Sequence, residues 1–313
     1  MIQIRGKASN DFRRGFTMLE LCVAISLVAV LLALLLPGVQ HARESARRIA
    51  CKSNLREIVL GLHQFETAQR SFPPSFYGKQ DIPGLFRNGS LMGHLSVLPG
   101  IFGANPISST AEQVKFGDAG WWTTPQSEFL RQSHNSFFSC PSDAEKGSWV
   151  VATITPYFDT YSYHLMPAKD DEQWTNYLGC SGSRTYSQFN VKGRGLFLPV
   201  SGSRARDILD GLSNTLFVGE VTGQVTDPVR KSGRRNSFSW LAGAQTVEEG
   251  LNYDRGKIHG QDFGWVQFRS LHGPLVHFSF VDGKVEAIHE NVDQQLLEAM
   301  ATIADNDMAV TTP

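Results

Sequence analysis

Apolar residues are distributed in three regimes along the chain. Between Leu21 and Leu36 every residue except Ser26 is apolar. With Phe16 to Leu19 included, the run is about 21 residues, or roughly 31 Å of helix at ~1.5 Å per residue, enough for a ~30 Å hydrocarbon core. From Val39 the apolar positions thin to a helical stripe: Val39, Ala42, Ala46 and Ile49, then Leu55, Ile58, Leu62 and Phe65. Charged residues such as Arg43, Arg47, Glu57 and Glu66 fall between them. The pattern predicts one helix of about fifty residues from Phe16 to near Gln69, its first half in lipid and its second half packed on a globular part. Ser71-Phe72-Pro73-Pro74 should end it, because adjacent prolines cannot continue a helix.

Beyond Pro74 the pattern changes to short runs broken by Gly, Pro, Asn and Ser, among them SWVVATITPYF, TLFVGEVTG and FSFVDGKVEAI. These predict a mostly antiparallel sheet with long loops, the stretches 78–136 and 221–262 being the richest in loop signals. Asp282-Gly283 between LVHFSFV and KVEAI predicts a two-residue hairpin turn, with Val276, Phe278 and Phe280 on one strand face. Near the end, Asp293 is placed to cap a short helix that presents Leu296, Leu297, Met300 and Ile303. The expected class is α+β, a long N-terminal helix on a β-rich domain.

Charge and cysteine content narrow the function classes. A net charge of -1 gives no reason to expect a nucleic-acid partner. The four cysteines, at 22, 51, 140 and 180, contain no CxxC pair, which argues against a zinc site or a thioredoxin-like motif. Arg5, Lys7, Arg13 and Arg14 precede the apolar run, as in a secretory signal peptide. The run is too long for one, however, and Pro37-Gly38-Val39-Gln40 follows instead of a small-x-small cleavage site. A buried carboxylate is costly in a bilayer, about 2.5–3.5 kcal/mol for Asp on insertion scales, so the default reading of Glu20 in such a run is functional and it needs a cationic partner.

Gly15-Phe16-Thr17-Met18-Leu19-Glu20, with the basic leader before it and the apolar run after it, resembles the processing motif of type IV prepilins and type II secretion pseudopilins. The resemblance implies cleavage between Gly15 and Phe16 by a prepilin peptidase and methylation of the new Phe16 amine. It also implies that Glu20 offsets the amine of a neighbouring subunit during assembly. Met18 stands where Leu is commoner, and Pro37 falls where many pilins have a helix-kinking proline. The chain would then divide into a leader (1–15), a transmembrane and packing helix (16–70) and a β-rich domain outside the cytoplasm (71–313). Arg43, Arg47, Arg48, Lys52 and Arg56 rival the leader's cations, so orientation rests on the resemblance rather than on charge.

Further along, His272 is followed by nine residues and then Asp282-Gly283. This resembles the C-terminal HxxxxxxxxxDG signature of a large bacterial family of prepilin-like proteins of unknown function, also described as solute-binding-like. The resemblance extends to CKSNLREIVLGLHQFE (51–66), SFPPS (71–75), CPSD (140–143), YSYH (161–164) and RDILDGLSNTLFVGE (206–220), with departures at His164 and Leu212.

His272 has the chemistry of a ligand or general base, but a histidine fixing a loop by hydrogen bonds is the more economical reading. Asp207-x-x-Asp210-Gly211 lacks the alternating oxygen ligands of an EF-hand and reads as a tight turn. GCSGS (179–183) fails the spacing of a nucleophile elbow. Trp121, Trp122, Trp174, Trp240 and Trp265 suit a carbohydrate platform less well than a core. HExxH, GxxxxGK[ST] and GxGxxG are absent, so no enzymatic activity, cofactor or metal is expected.

Two classes remain. One is a pilin-like or pseudopilin-like subunit of the inner membrane, partnered by prepilin peptidase and other pilin-like subunits, with its globular domain in the periplasm or at the cell surface. The other is a membrane-tethered solute- or glycan-binding protein that uses the prepilin signal for processing. In an oxidising compartment Cys51 and Cys140 are placed to bridge helix to sheet, leaving Cys180 free or in place of either partner.

Overall fold

The computed structural model describes residues 17–77, 92–98, 128, 131–132, 134–143, 149–157, 160–167, 172–183, 193–197, 202–222, 236–239, 242–248, 250–251 and 267–304. Residues 1–16, which include Gly15 and Phe16 of the expected cleavage site, and Trp121, Trp122, Trp240 and Trp265 lie outside them. Most of the two loop-rich stretches does as well.

Helix α1 (Met18–Gln69) is a single element of 52 residues that runs through Pro37. The chain divides into two compact units, Met1–Ala46 and Arg47–Pro313. In the first, the apolar side chains are exposed along the helix, Leu34 at 71% and Leu32 at 61%. Among the described residues this is the one helix long and apolar enough to cross a membrane. In the second unit, Cys51, Leu55, Ile58, Val59, Gly61 and Leu62 are buried at helical spacing and become core. The predicted stripe therefore starts later than the sequence pattern suggests. Val39, Ala42, Ala46 and Ile49 are exposed, and packing begins only where Arg47 and Arg48 are half-buried. Apolar spacing continues across that junction, so periodicity alone does not mark it.

The helix ends before its prolines act. Arg70 turns into the left-handed region at φ 59°, its N–H still donating to the Glu66 carbonyl at 2.6 Å. Phe72 N–H then donates to the Ser203 carbonyl and ties the exit to the domain.

The domain holds eleven strands among the described residues. β1 (Phe76–Tyr77) and β2 (Met92–Gly93) form a small antiparallel pair. β3 (Trp149–Tyr157), β4 (Thr160–Pro167), β5 (Trp174–Thr175) and β8 (Asn236–Ser239) form a four-stranded sheet in the order β4-β3-β8-β5. β6 (Tyr177–Cys180), β7 (Leu216–Glu220), β9 (Ala244–Gln245), β10 (Leu275–Phe280) and β11 (Val285–His289) form a five-stranded sheet in the order β11-β10-β7-β6-β9. Pairing is antiparallel except for β3 with β8 and β6 with β9, which are parallel. The class is α+β, as the sequence pattern predicts.

The five-stranded sheet carries a core on each face. Tyr177, Phe217 and Val218 join Leu55, Ile58 and Leu62 of α1 in one cluster. Leu178, Cys180, Leu216, Val276, Phe278 and Phe280 form the other with Leu297 and Ala301 of α2 (Gln294–Ala301). Asp293 caps α2, its Oδ1 accepting from Leu296 N–H at 3.0 Å. Leu297 and Ile303 are buried, and Leu296 and Met300 are half-buried. Gly219 faces Phe278 across the β7–β10 pair, and a Cβ there would collide with the rings of Phe278 and Phe268.

The Asp282-Gly283 hairpin differs from its prediction by one residue. Phe280 N–H donates to the Lys284 carbonyl at 2.8 Å and Gly283 N–H to the Phe280 carbonyl at 3.0 Å, which closes a three-residue loop, Val281-Asp282-Gly283. Gly283 alone has positive φ, at 91°. This is a turn followed by a left-handed residue, not the two-residue turn that needs two such residues. Asp282 Oδ1 accepts from Lys284 N–H at 2.9 Å. The extra residue, Val281, is spent on the core beneath α1: it is buried, and its carbonyl lies 2.6 Å from His63 Nε2.

Candidate functional site

At the start of α1, Thr17 and Glu20 form a reciprocal cap. Thr17 N–H and Oγ1–H both donate to Glu20 Oε2 at 2.9 Å, and Glu20 N–H donates to Thr17 Oγ1 at 3.2 Å. Thr-x-x-Glu is a capping-box pattern, legible in the sequence but overlooked while Glu20 is read only as an assembly carboxylate. The cap occupies Oε2. Oε1 has no hydrogen bond among the described residues and remains open to a cation.

The second concentration of chemistry lies inside the domain. Cys51, on the buried face of α1, is disulfide-bonded to Cys140, with Cα atoms 5.3 Å apart and a sequence separation of 89. Cys140 is held from its other side as well: its N–H donates to Asn176 Oδ1 at 2.8 Å, and Asn176 Nδ2–H donates to Asp143 Oδ2 at 2.7 Å. Cys180 takes no part. It is buried in the second core cluster, where burial pushes its thiol up to about 12.

His272 lies against the disulfide. Its ring is fully buried, with Nε2 at 3.4 Å from Cys140 Sγ and 3.7 Å from Glu220 Oε1. Glu220, the last residue of β7, accepts through Oε2 from the backbone N–H of His277 at 3.0 Å and lies at the same distance from His277 Nδ1. The two imidazoles meet edge to face at 5.2 Å. Glu220 Oε1 is buried and has no hydrogen bond. An orphan carboxylate oxygen in a protein interior requires an explanation.

Four stretches distant in sequence thus meet in one place: CKSN through Cys51, CPSD through Cys140, LFVGE through Glu220 and the HxxxxxxxxxDG segment through His272. The segment from His272 to Gly283 itself divides in two. His272 enters the buried cluster ahead of β10, while Asp282-Gly283 beyond β10 shapes the loop that packs under α1. Cysteine spacing argues against a metal site, yet the fold brings the ligand atoms of Cys51, Cys140, Glu220 and His272 within 4.8 Å of one another. Glu220 and His277 were not singled out in the sequence. The available signal is a carboxylate at the end of an apolar strand and a histidine within another, each a polar residue at a core position.

The remaining sequence candidates resolve into structure. Asp207 Oδ2 accepts from Arg204 N–H at 3.0 Å, and Gly211 has φ 95° beside Asn214 Nδ2, which donates to the Asp210 carbonyl at 3.0 Å. This is a capped tight turn into β7. Ser181 of GCSGS follows β6 and is buried. Trp174 lies in β5, half-buried, and gives no exposed platform. Beside the end of α1, a hollow of about 500 Å³ is lined by Glu66, Arg70, Arg204, Ala205 and Arg206. His94 is fully buried without a hydrogen bond on either ring nitrogen, its ring 4.2 Å from that of Phe197. Burial lowers it to about 3.

Comparison with known proteins places this arrangement. No curated protein and no solved structure matches the chain. A family model described as "Protein of unknown function (DUF1559)", labelled SBP_bac_10, matches residues 40–295, which takes in the buried cluster, both faces of the five-stranded sheet and the Asp282-Gly283 loop. On that match, which covers most of its length, the chain belongs to the DUF1559 family.

Proposed function

We propose that the protein is a pilin-like or pseudopilin-like subunit of the inner membrane, trimmed by prepilin peptidase and carrying its β-rich domain on the periplasmic or cell-surface side. The observation that carries this reading is the start of α1. The Gly15-Phe16 pair resembling a processing site lies immediately before a helix whose first half is apolar on all sides and exposed on all sides. Such a surface is stable only in lipid or against other helices of its kind. Glu20 keeps Oε1 outside the Thr17 cap, which supports its pairing with the Phe16 ammonium of an adjacent subunit, a pair whose attraction is greatest where water is excluded. The reading assigns no catalytic activity.

Intact-mass analysis of the chain purified from its native membrane tests the proposal. The expected mature N-terminus is Phe16 bearing one methyl group. Retention of Met1, or a cut beyond Pro37, would contradict it.

A second reading, a tethered solute-binding protein, is favoured by the hollow at the end of α1, whose three arginines suit an anionic solute. On this reading the chain stays monomeric in the membrane.

A further inference from the structure

We propose that reduction of the Cys51–Cys140 disulfide converts the buried cluster into a tetrahedral site for a zinc-class divalent cation, with Cys51, Cys140, His272 and Glu220 as its four ligands. The ligand types are right for such an ion: two thiolates, one imidazole and one carboxylate make a borderline-soft set. The spacing is right too. A tetrahedral ion with Zn–S of about 2.3 Å and Zn–N or Zn–O of about 2.0–2.1 Å sets neighbouring donor atoms roughly 3.3–3.8 Å apart. His272 Nε2 already stands at 3.4 Å from Cys140 Sγ and 3.7 Å from Glu220 Oε1. All four donor atoms lie within 4.8 Å of one another, and the two sulfurs separate by side-chain rotation once their bond is broken.

Three further features fit a metal better than a disulfide alone. Glu220 Oε1 is buried without a hydrogen-bond partner and faces the point where the ion would sit. Its other oxygen is fixed by the backbone N–H and ring of His277, the outer-sphere support that orients a ligating carboxylate. Cys140 is likewise held through its N–H by Asn176, itself bonded to Asp143. His272 is itself fully buried, but its chain neighbours Leu271 and Gly273, on the loop before β10, are exposed.

The conversion balances with a dithiol as reductant. Two electrons and two protons pass from the dithiol to the Cys51–Cys140 bond, giving two thiols here and one disulfide in the reductant. The cation then displaces one proton from each thiol, His272 binds through unprotonated Nε2, and Glu220 binds as the carboxylate. A small-molecule disulfide in excess accepts the two electrons and becomes a dithiol, which restores the Cys51–Cys140 bond and releases the cation, so the two states exclude each other.

Cobalt(II) titration of the full chain in detergent, in a Cys22→Ser background, tests this directly. The protein is reduced with a dithiol and exchanged anaerobically into reductant-free buffer. One equivalent of Co²⁺ is expected to bind, with thiolate-to-metal charge-transfer bands and the intense visible bands of a tetrahedral ion, and Zn²⁺ is expected to displace it. The oxidised chain should show none of these bands. Glu220→Gln and His272→Gln should each weaken binding by at least about tenfold, and His277→Gln, acting through Glu220, by roughly 10–100-fold. Binding that is absent from the reduced chain, or equal in the oxidised chain, would overturn the proposal. So would binding unaffected by Glu220→Gln and His272→Gln. Where a variant does not fold, zinc-edge absorption on the reduced Cys22→Ser chain decides: two sulfur and two lighter scatterers support the site, and any other shell refutes it.

Discussion

The two halves of α1 share one backbone conformation and differ in what surrounds them. In residues 18–36 apolar side chains cover the whole circumference and stay exposed; in residues 47–69 a stripe of Cys51, Leu55, Ile58 and Leu62 is buried at 0%, while Ile49 and Leu60 on the other faces stay exposed. Propensity does not separate the two, since both are helix. The difference lies in the angular spread of apolar positions: a narrow stripe is satisfied by one sheet, whereas an all-round apolar surface needs an all-round apolar environment. The first half is accordingly incomplete within one chain, and the second is the central support of the domain.

Equal truncations in the two halves should therefore have unequal effects. Ile58→Ala is expected to destabilise the domain by about 2–5 kcal/mol, while Leu32→Ala should shift it by less than about 0.5 kcal/mol. Denaturant unfolding of the full chain in detergent, followed by tryptophan fluorescence, measures both. Comparable losses would mean that the halves are not independent in the way their burial indicates.

Reduction of Cys51–Cys140 sharpens the same contrast, because it cuts the covalent tie between the second half of α1 and the domain. The bridge spans 89 residues, and its loss should cost about 2–4 kcal/mol of domain stability. Urea midpoints with and without a dithiol, under chelator to exclude metal, report the value. An unchanged midpoint would show that packing of Leu55, Ile58 and Leu62 suffices alone.

His94 provides a milder perturbation confined to the globular side. Burial lowers its folded value from 6.5 to about 3, so between those limits the unfolded chain binds a proton that the native chain does not. The sign follows: the contribution is fully present above pH 6.5 and is lost as pH falls toward 3, at up to about 1.4 kcal/mol per pH unit. The melting temperature of the native chain should fall relative to that of His94→Leu as the pH drops through this window. Parallel curves would mean that His94 is hydrated or paired in solution.

Legibility in the sequence followed the same division. The long helix, its end near Gln69, the β10–β11 hairpin and the Asp293 cap were each readable because a local rule governs them: period, breaker, turn residue, cap. The start of packing at Arg47 was not, since the apolar rhythm of Val39, Ala42, Ala46 and Ile49 continues smoothly into that of Leu55 and Ile58. Hairpin loop length escaped for a related reason. Val281 belongs to the loop because it is drawn into the core by α1, a tertiary demand that Asp282-Gly283 does not encode. Three members of the buried cluster, Cys51, Cys140 and His272, were visible as isolated cysteines and a histidine, while Glu220 and His277 became meaningful only when strand pairing brought β7 beside β10. Parallel pairing of β3 with β8 and β6 with β9 has no local signature at all, because the partners are separated by long stretches of chain.

Crosslinking within native membranes, through a photoreactive residue placed at the exposed Leu31 position, tests most directly whether the first half of α1 is completed by its own kind. The account predicts a ladder of products containing this chain or related pilin-like subunits. Glu20→Gln should shorten the ladder while leaving membrane insertion and the Phe16 N-terminus unchanged, because it keeps the side chain's shape and removes the charge that meets the neighbouring amine. Monomer alone in the native chain, or identical ladders from both, would contradict assembly through this helix and favour the tethered binding protein.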